Sequence, residues 1–294
     1  MAVYKRTYKA YQGVLTPAWS RFTVLSRYGF STLFESRPFM AYTVVCFVPF
    51  VFALAYIYII NNASVQALLN VRLGPAFQIN NSSALGFLQV EAWMGLILTA
   101  WGAPGMISKD FANQAVQLYL SRPLSRPEYL LGKVSVLATL LSCTTWIPAL
   151  VLFAVHAGLQ GDGWGTRNLW MVGSIVLAGL LWIAVISLVA MAISVWVRWR
   201  IAATALMFAT FFMLPAVGFA MNLIMRTRWG WLLNLRHMIG LVWNGLFRIQ
   251  PSSAQSFGGE AVPLWSAWAA LFAVCLFSLW LLNLRLRARE VERG

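Results

Sequence analysis

Residues Leu169 to Val197 read LWMVGSIVLAGLLWIAVISLVAMAISVWV, 29 positions without a charged side chain, and the run ends against Arg198-Trp199-Arg200. At 1.5 Å per residue a helix of that length extends about 43 Å, more than the ~30 Å of a bilayer's hydrocarbon core. Apolar all round, it has no face to offer water. Its solvent must be lipid or other buried helices.

Working outward from this run, the same reading recurs on both sides. Ile201 to Met225 follows at once, and Val134 to Leu159 precedes it. Ala84 to Pro104 is apolar apart from Glu91, Phe39 to Ile60 carries no charge, and Leu264 to Leu284 closes the series. The expected fold is all-α, a polytopic membrane protein of six transmembrane helices. Composition agrees, with 60% hydrophobic and 10% charged residues and a mean hydropathy of +0.71. A soluble domain carries about 25% charged residues.

The net charge of +14 would suit a nucleic-acid partner if the basic residues formed a patch. They do not. Lys5, Arg6, Lys9, Arg21, Arg27 and Arg37 precede the first span, and Lys109, Arg122, Arg126 and Lys133 lie between the second and third. Arg198 and Arg200 lie between the fourth and fifth, and Arg285, Arg287, Arg289 and Arg293 follow the sixth. That places 16 of the 22 basic residues on one side, where the positive-inside rule expects the cytoplasm. Both termini are therefore expected there, with membrane lipid as a partner and nucleic acid excluded. The basic, polar start, MAVYKRTYKAYQGVLTP, does not read as a cleaved signal peptide.

Two amphipathic stretches flank the spans. Thr16-Pro17 is a helix start, and Trp19, Phe22, Leu25, Phe30, Leu33 and Phe34 then give an apolar side with Arg21, Arg27 and Glu35 among polar positions. This reads as an anchor on the inner membrane surface, held by Trp19, Phe22, Arg27 and Arg37, with Arg285 and Arg287 doing the same after the last span. In Trp229 to Arg248, Leu232, Leu235, Ile239, Val242 and Leu246 recur at helical spacing. That segment is expected to be a helix lying along the outer interface or dipping into it and returning.

The loop after the second span reads MISKDFANQAVQLYLSRPLSRPEYLLGK, Met106 to Lys133. Its first half suits a short helix capped by Ser108, with Asp110 near the positive end of the dipole. Ser121-Arg122-Pro123 stops it, and Ser125-Arg126-Pro127-Glu128 starts another that feeds the third span. The residues Leu118, Leu120, Ser121, Arg122, Pro123, Leu124, Ser125, Arg126, Glu128, Tyr129, Leu131, Gly132 and Lys133 resemble the loop pattern of ABC-2 type transporter permeases. The stretch Leu25 to Phe39 is similar to that family's elbow helix. One departure is that the charge-rich run common before the motif is reduced here to Lys109 and Asp110.

The resemblance implies one transmembrane domain over 1–294: tail and elbow helix in 1–38, six-span bundle in 39–284, and a cytoplasmic tail in 285–294. It implies a coupling helix docking on a separate ATP-binding cassette ATPase, through Lys109, Asp110, Gln117, Leu118, Leu120, Ser121, Arg122, Pro123, Ser125, Arg126, Glu128 and Tyr129. It also implies a second permease copy, identical or paralogous, and a bacterial inner membrane. No cofactor is expected in this chain, ATP and magnesium being bound by the partner. The residues agree in one respect: no G-x-x-x-x-G-K-[ST] phosphate loop is present, since Gly132-Lys133 has Pro127 in place of the first glycine.

Few other residues carry chemistry. Glu91 is the one acid well inside a span, so it is the candidate for the translocation path or a gate. No catalytic set is expected: one carboxylate and the distant His156 and His237 do not make the paired acids or Ser/His array of a membrane-embedded lipid-modifying enzyme. A secondary transporter or channel, the other alternative, would want discontinuous helices or more ionisable groups at mid-depth. No metal site is expected. Cys46, Cys143 and Cys275 are isolated, and Met207, Met213, Met221 and Met225 are irregularly spaced.

Overall fold

The computed structural model describes residues 20–68, 80–112, 125–161, 163–197, 199–249 and 262–291. Among them the regular structure is helical: α1 Arg21–Phe34, α2 Arg37–Val45, α3 Val48–Asn61, α4 Ala63–Leu68, α5 Asn81–Ala112 and α6 Arg126–Thr144. Then come α7 Trp146–Gln160, α8 Trp164–Arg167, α9 Leu169–Trp196, α10 Arg200–Met225, a 3-10 segment Trp229–Leu233, α11 Leu235–Leu246 and α12 Leu264–Val291. Six stretches are long and apolar enough to cross a membrane: Arg37–Asn61, Asn81–Ser108, Pro127–Gln160, Leu169–Trp196, Arg200–Met225 and Leu264–Leu286. The chain is a multi-pass membrane protein.

The run that decided the fold is also its centre. In α9, 67% of the most apolar window is buried, against 11% in Arg37–Asn61 and 22% in each of α10 and α12. The fourth span is therefore surrounded by protein, while the first, fifth and sixth present most of their surface outward. Small residues let neighbours approach α9: a Cβ on Gly179 would lie 2.5 Å from Trp146 Cβ. Hydroxyls tie the same helix to others, with Ser174 Oγ donating to the Leu246 carbonyl at 2.8 Å.

Two spans are broken. The first changes from α2 to α3 at Cys46–Phe47, just before Pro49, which has no N–H to offer Val45. The third breaks at Thr145, ahead of Pro148, where Thr145 Oγ1 donates to the Leu141 carbonyl at 2.6 Å. Pro104 and Pro215, by contrast, sit inside continuous helices.

The second span differs from expectation. It does not stop at Pro104 and restart at a Ser108 cap; α5 runs through to Ala112. Ser108 is buried, and its Oγ lies 2.9 Å from the Ser194 carbonyl and 3.0 Å from that of Val197. The hydroxyl fastens α5 to the end of α9 instead of opening a helix. The helix of the third span starts at Arg126, as the Ser125-Arg126-Pro127-Glu128 signal predicts, because Ser125 and Glu128 form a capping box in which the Ser125 N–H donates to Glu128 Oε2 at 2.6 Å.

The segment before the last span turns back into the bundle. The chain reverses after α10 through Arg226 at φ 50°, and the 3-10 segment then packs along α10. Gly218 and Gly230 meet backbone to backbone, so a Cβ on Gly218 would collide with the Gly230 carbonyl oxygen. Asn234 Oδ1 caps α11 by accepting from the His237 N–H at 3.0 Å. Along α11 the apolar side enters the core: Met238, Ile239, Val242 and Trp243 are buried, and Trp243 Nε1 donates to the Ala178 carbonyl at 3.1 Å. Replacing Gly218 with alanine should force the 3-10 segment outward and cost about 1–3 kcal/mol. The check is a lowered melting temperature of the detergent-purified protein; an unchanged value would mean the glycine contact is dispensable.

Candidate functional site

At the Lys/Arg-rich end of the bundle, the ends of α5 and α6 bracket residues 113–124. A compact polar cluster joins them. Lys133 Nζ lies 2.8 Å from Asp110 Oδ2, with side chains 7% and 15% exposed, and the Tyr129 hydroxyl donates to the same carboxylate oxygen at 3.0 Å. Lys133 also reaches the Met106 carbonyl at 3.5 Å and lies 5.9 Å from the Tyr129 ring centroid. A pair this dry is held by its hydrogen bonds as much as by charge.

The first amphipathic helix seats on this bracket. Ser26 Oγ lies 2.6 Å from Ser135 Oγ and donates to the Gly132 carbonyl at 3.1 Å. A Cβ on Gly132 would sit 2.8 Å from Leu25 Cβ and 3.0 Å from the Phe22 carbonyl, and one on Gly29 would sit 2.8 Å from Val136 Cγ2. The Gly-Lys of the loop motif thus has two mechanical duties: glycine admits α1, and lysine holds Asp110.

Several expected site residues are brought together here and others are not. Asp110, Ser125, Glu128 and Tyr129 all belong to the bracket, but Tyr129 is 1% exposed and turned inward. Gln117, Leu118, Leu120, Ser121, Arg122, Pro123 and Trp19 lie outside the described residues, as do the side chains of Lys109, Arg126 and Arg287. Phe22 is half-buried and Leu25 and Leu33 are buried, so α1 turns its apolar side to the protein, while Arg27 and Arg37 are exposed. Arg285 lies over the Trp196 ring at 5.4 Å.

Glu91 stands ten residues along α5 from Asn81, about 15 Å into the span. It is fully buried, and neither carboxylate oxygen has a hydrogen-bond partner among the described residues. Tyr42 and Cys46 lie within electrostatic reach of it, Cys46 at the break of the first span. One turn further, a Cβ on Gly95 would lie 3.9 Å from Thr145 Cγ2, at the break of the third. Both discontinuities therefore border the Glu91 turn.

His156 is 3% exposed, edge-on to Trp164 at 4.5 Å, and its Nδ1 lies 3.2 Å from Asn61 Nδ2. Trp231 lines a cavity of about 570 Å³ with Trp93, Trp182, Phe211, Trp243 and Arg236. No local pattern announces that cavity, whose walls come from α5, α9, α10, the 3-10 segment and α11. Met207 is buried while Met213 and Met225 are well exposed, so the methionines of α10 do not converge. Among the described residues no group of His, Cys, Asp and Glu could hold a metal ion.

No protein-family model matches the chain, and no curated protein matches it.

Replacing Asp110 with asparagine leaves Lys133 buried without its counter-charge and should cost about 3 kcal/mol. Adding Lys133→Met to that variant should recover most of the loss. Thermal unfolding of the single and double variants checks both statements; a double variant as unstable as the single one would assign the defect to something other than the charge.

Proposed function

We propose that the chain is the membrane-spanning permease subunit of an ATP-driven exporter of the ABC-2 type, working with a separate ATPase and a second permease copy in a bacterial inner membrane. The observation that carries this reading is the bracket. A partner bearing on residues 113–124 would push on two helix ends already tied by Asp110, Tyr129 and Lys133, with α1 seated on the same helix. The displacement would then be shared by the second and third spans and, through Ser108, passed to the end of α9. In this reading Leu118, Arg122 and their neighbours meet the ATPase, whereas Tyr129 and Asp110 transmit the push from inside.

The sequence supports a partner of this kind through its SRPLSRPEYLLGK loop and its lack of a phosphate-binding loop. Both termini would face the cytoplasm with that loop. Glu91 would border the path of the cargo or a gate across it.

One observation favours a second reading, an ion-coupled secondary transporter. Two broken spans beside a buried carboxylate are what such proteins use to hold an ion. Dependence on an ATPase separates the two.

Co-purification with the ATPase encoded beside the gene is expected to succeed for wild type and fail for a Leu118→Ala/Arg122→Ala variant. Tyr129→Phe should keep the complex while lowering ATPase stimulation several-fold. If wild type retains no ATPase under gentle detergent conditions, the exporter reading falls. Glu91→Gln should lower transport without loss of assembly, measured by uptake into inside-out vesicles; unchanged transport would remove Glu91 from the path.

A further inference from the structure

The cavity bounded by α5, α9, α10 and α11 has a chemistry that the exporter reading does not use. Its volume of about 570 Å³ is that of a small-molecule site. Its walls are rings: Trp93, Trp182, Phe211, Trp231 and Trp243. Trp182 stands edge-on to both Phe211 and Trp243, at 6.0 and 6.1 Å, which fixes the inner wall.

Gln89, Asn234, Asn244 and His237, whose side chains can donate and accept, also line the cavity, so its excess of donors comes from Arg236 and the indoles. No acidic side chain lines the cavity, and Arg236 is its one fully charged group. The Arg236 guanidinium lies 4.5 Å from the Trp93 ring centroid, and among the described residues no carboxylate pairs with it. The Trp182 indole N–H, on a ring 6% exposed, has no acceptor either. Arginine and indole nitrogens can only donate. A cationic ligand, which rings alone would favour, is disfavoured because Arg236 already occupies the face of Trp93. The chemistry calls for an acceptor carrying negative charge on an apolar body.

The rim identifies the source of that body. Trp93 leads through a ring contact of 5.5 Å to Phe212, which is 55% exposed, and Val90 and Phe219 are exposed on the same two helices. In a membrane-spanning bundle such side chains meet acyl chains.

We propose that this cavity is a binding site for an anionic phospholipid, its phosphate held by Arg236 and its glycerol and upper chains against the tryptophan wall. The site stands whether or not the chain couples to an ATPase, and is tested without one. The purified full chain is titrated with dioleoyl-phosphatidylglycerol or dioleoyl-phosphatidylcholine and read by native mass spectrometry. Phosphatidylglycerol should bind more tightly, and Arg236→Gln should weaken it about tenfold, the loss of one charge-assisted contact, while leaving phosphatidylcholine unchanged. Arg228→Gln, an outer arginine that does not line the cavity, should have no effect. Ala92→Trp, which fills the cavity without altering charge, should reproduce the Arg236→Gln loss in protein that still elutes as wild type on gel filtration. Equal affinity for the two lipids in wild type would overturn the proposal, as would equal losses in the Arg236 and Arg228 variants, which would mean only a general attraction of surface arginines. Competition by free sn-glycerol 3-phosphate at tenfold excess would make the site one for a soluble anion and sink the lipid assignment.

Discussion

Hydrocarbon offers an unpaired backbone amide no substitute for water, and that constraint governs this chain from end to end. It accounts for the all-helical secondary structure of the described residues, and for what happens where helices are interrupted. At Thr145 the side chain reaches back to the Leu141 carbonyl, at the end of α9 the Ser108 hydroxyl is placed to donate to the Ser194 and Val197 carbonyls, and at the start of α11 Asn234 supplies the missing acceptor. At these three places a short polar side chain lies within a turn's reach of the backbone groups at the helix end. Glu91 is the one carboxylate among the buried, unpartnered polar groups of the described spans, which is why it draws attention as a functional residue.

Packing around α9 supplies the second organising effect. With no hydrophobic drive between helices in lipid, association depends on close approach and on hydrogen bonds between them. Gly179 under Trp146, Gly218 against Gly230 and Gly132 beneath α1 are three places where a methyl group would hold helices apart. The result is a central span enclosed by protein and first, fifth and sixth spans that present most of their surface outward.

Much of this was legible in the sequence, and the misses have physical causes. The spans were readable because length and lack of charge measure the same quantity the bilayer measures. The start of the third span was readable because Ser125-x-x-Glu128 is a local hydrogen-bond pattern. Ser108 was misread because a serine before polar residues looks the same whether it caps its own helix or binds a helix 86 positions away. The breaks at Cys46 and Thr145 were not anticipated because Pro49 and Pro148 resemble Pro104 and Pro215, which leave their helices intact. The tryptophan cavity was beyond reach for a different reason: its rings come from five segments, and only tertiary packing brings them together. The loop motif could be read for its pattern, yet the burial of Tyr129 and Lys133 could not.

The seat of α1 has a consequence for biosynthesis. Ser26 bonds to Gly132, 106 residues downstream, so α1 lacks its seat on α6 until the third span has been made. At translation rates of about 5–20 residues per second that interval is roughly 5–20 seconds. During it, Leu25 lacks the surface at Gly132 that it packs against in the finished protein. The amphipathic pattern of α1 is thus matched to two successive environments, lipid headgroups while the chain is incomplete and the α6 groove once it is whole.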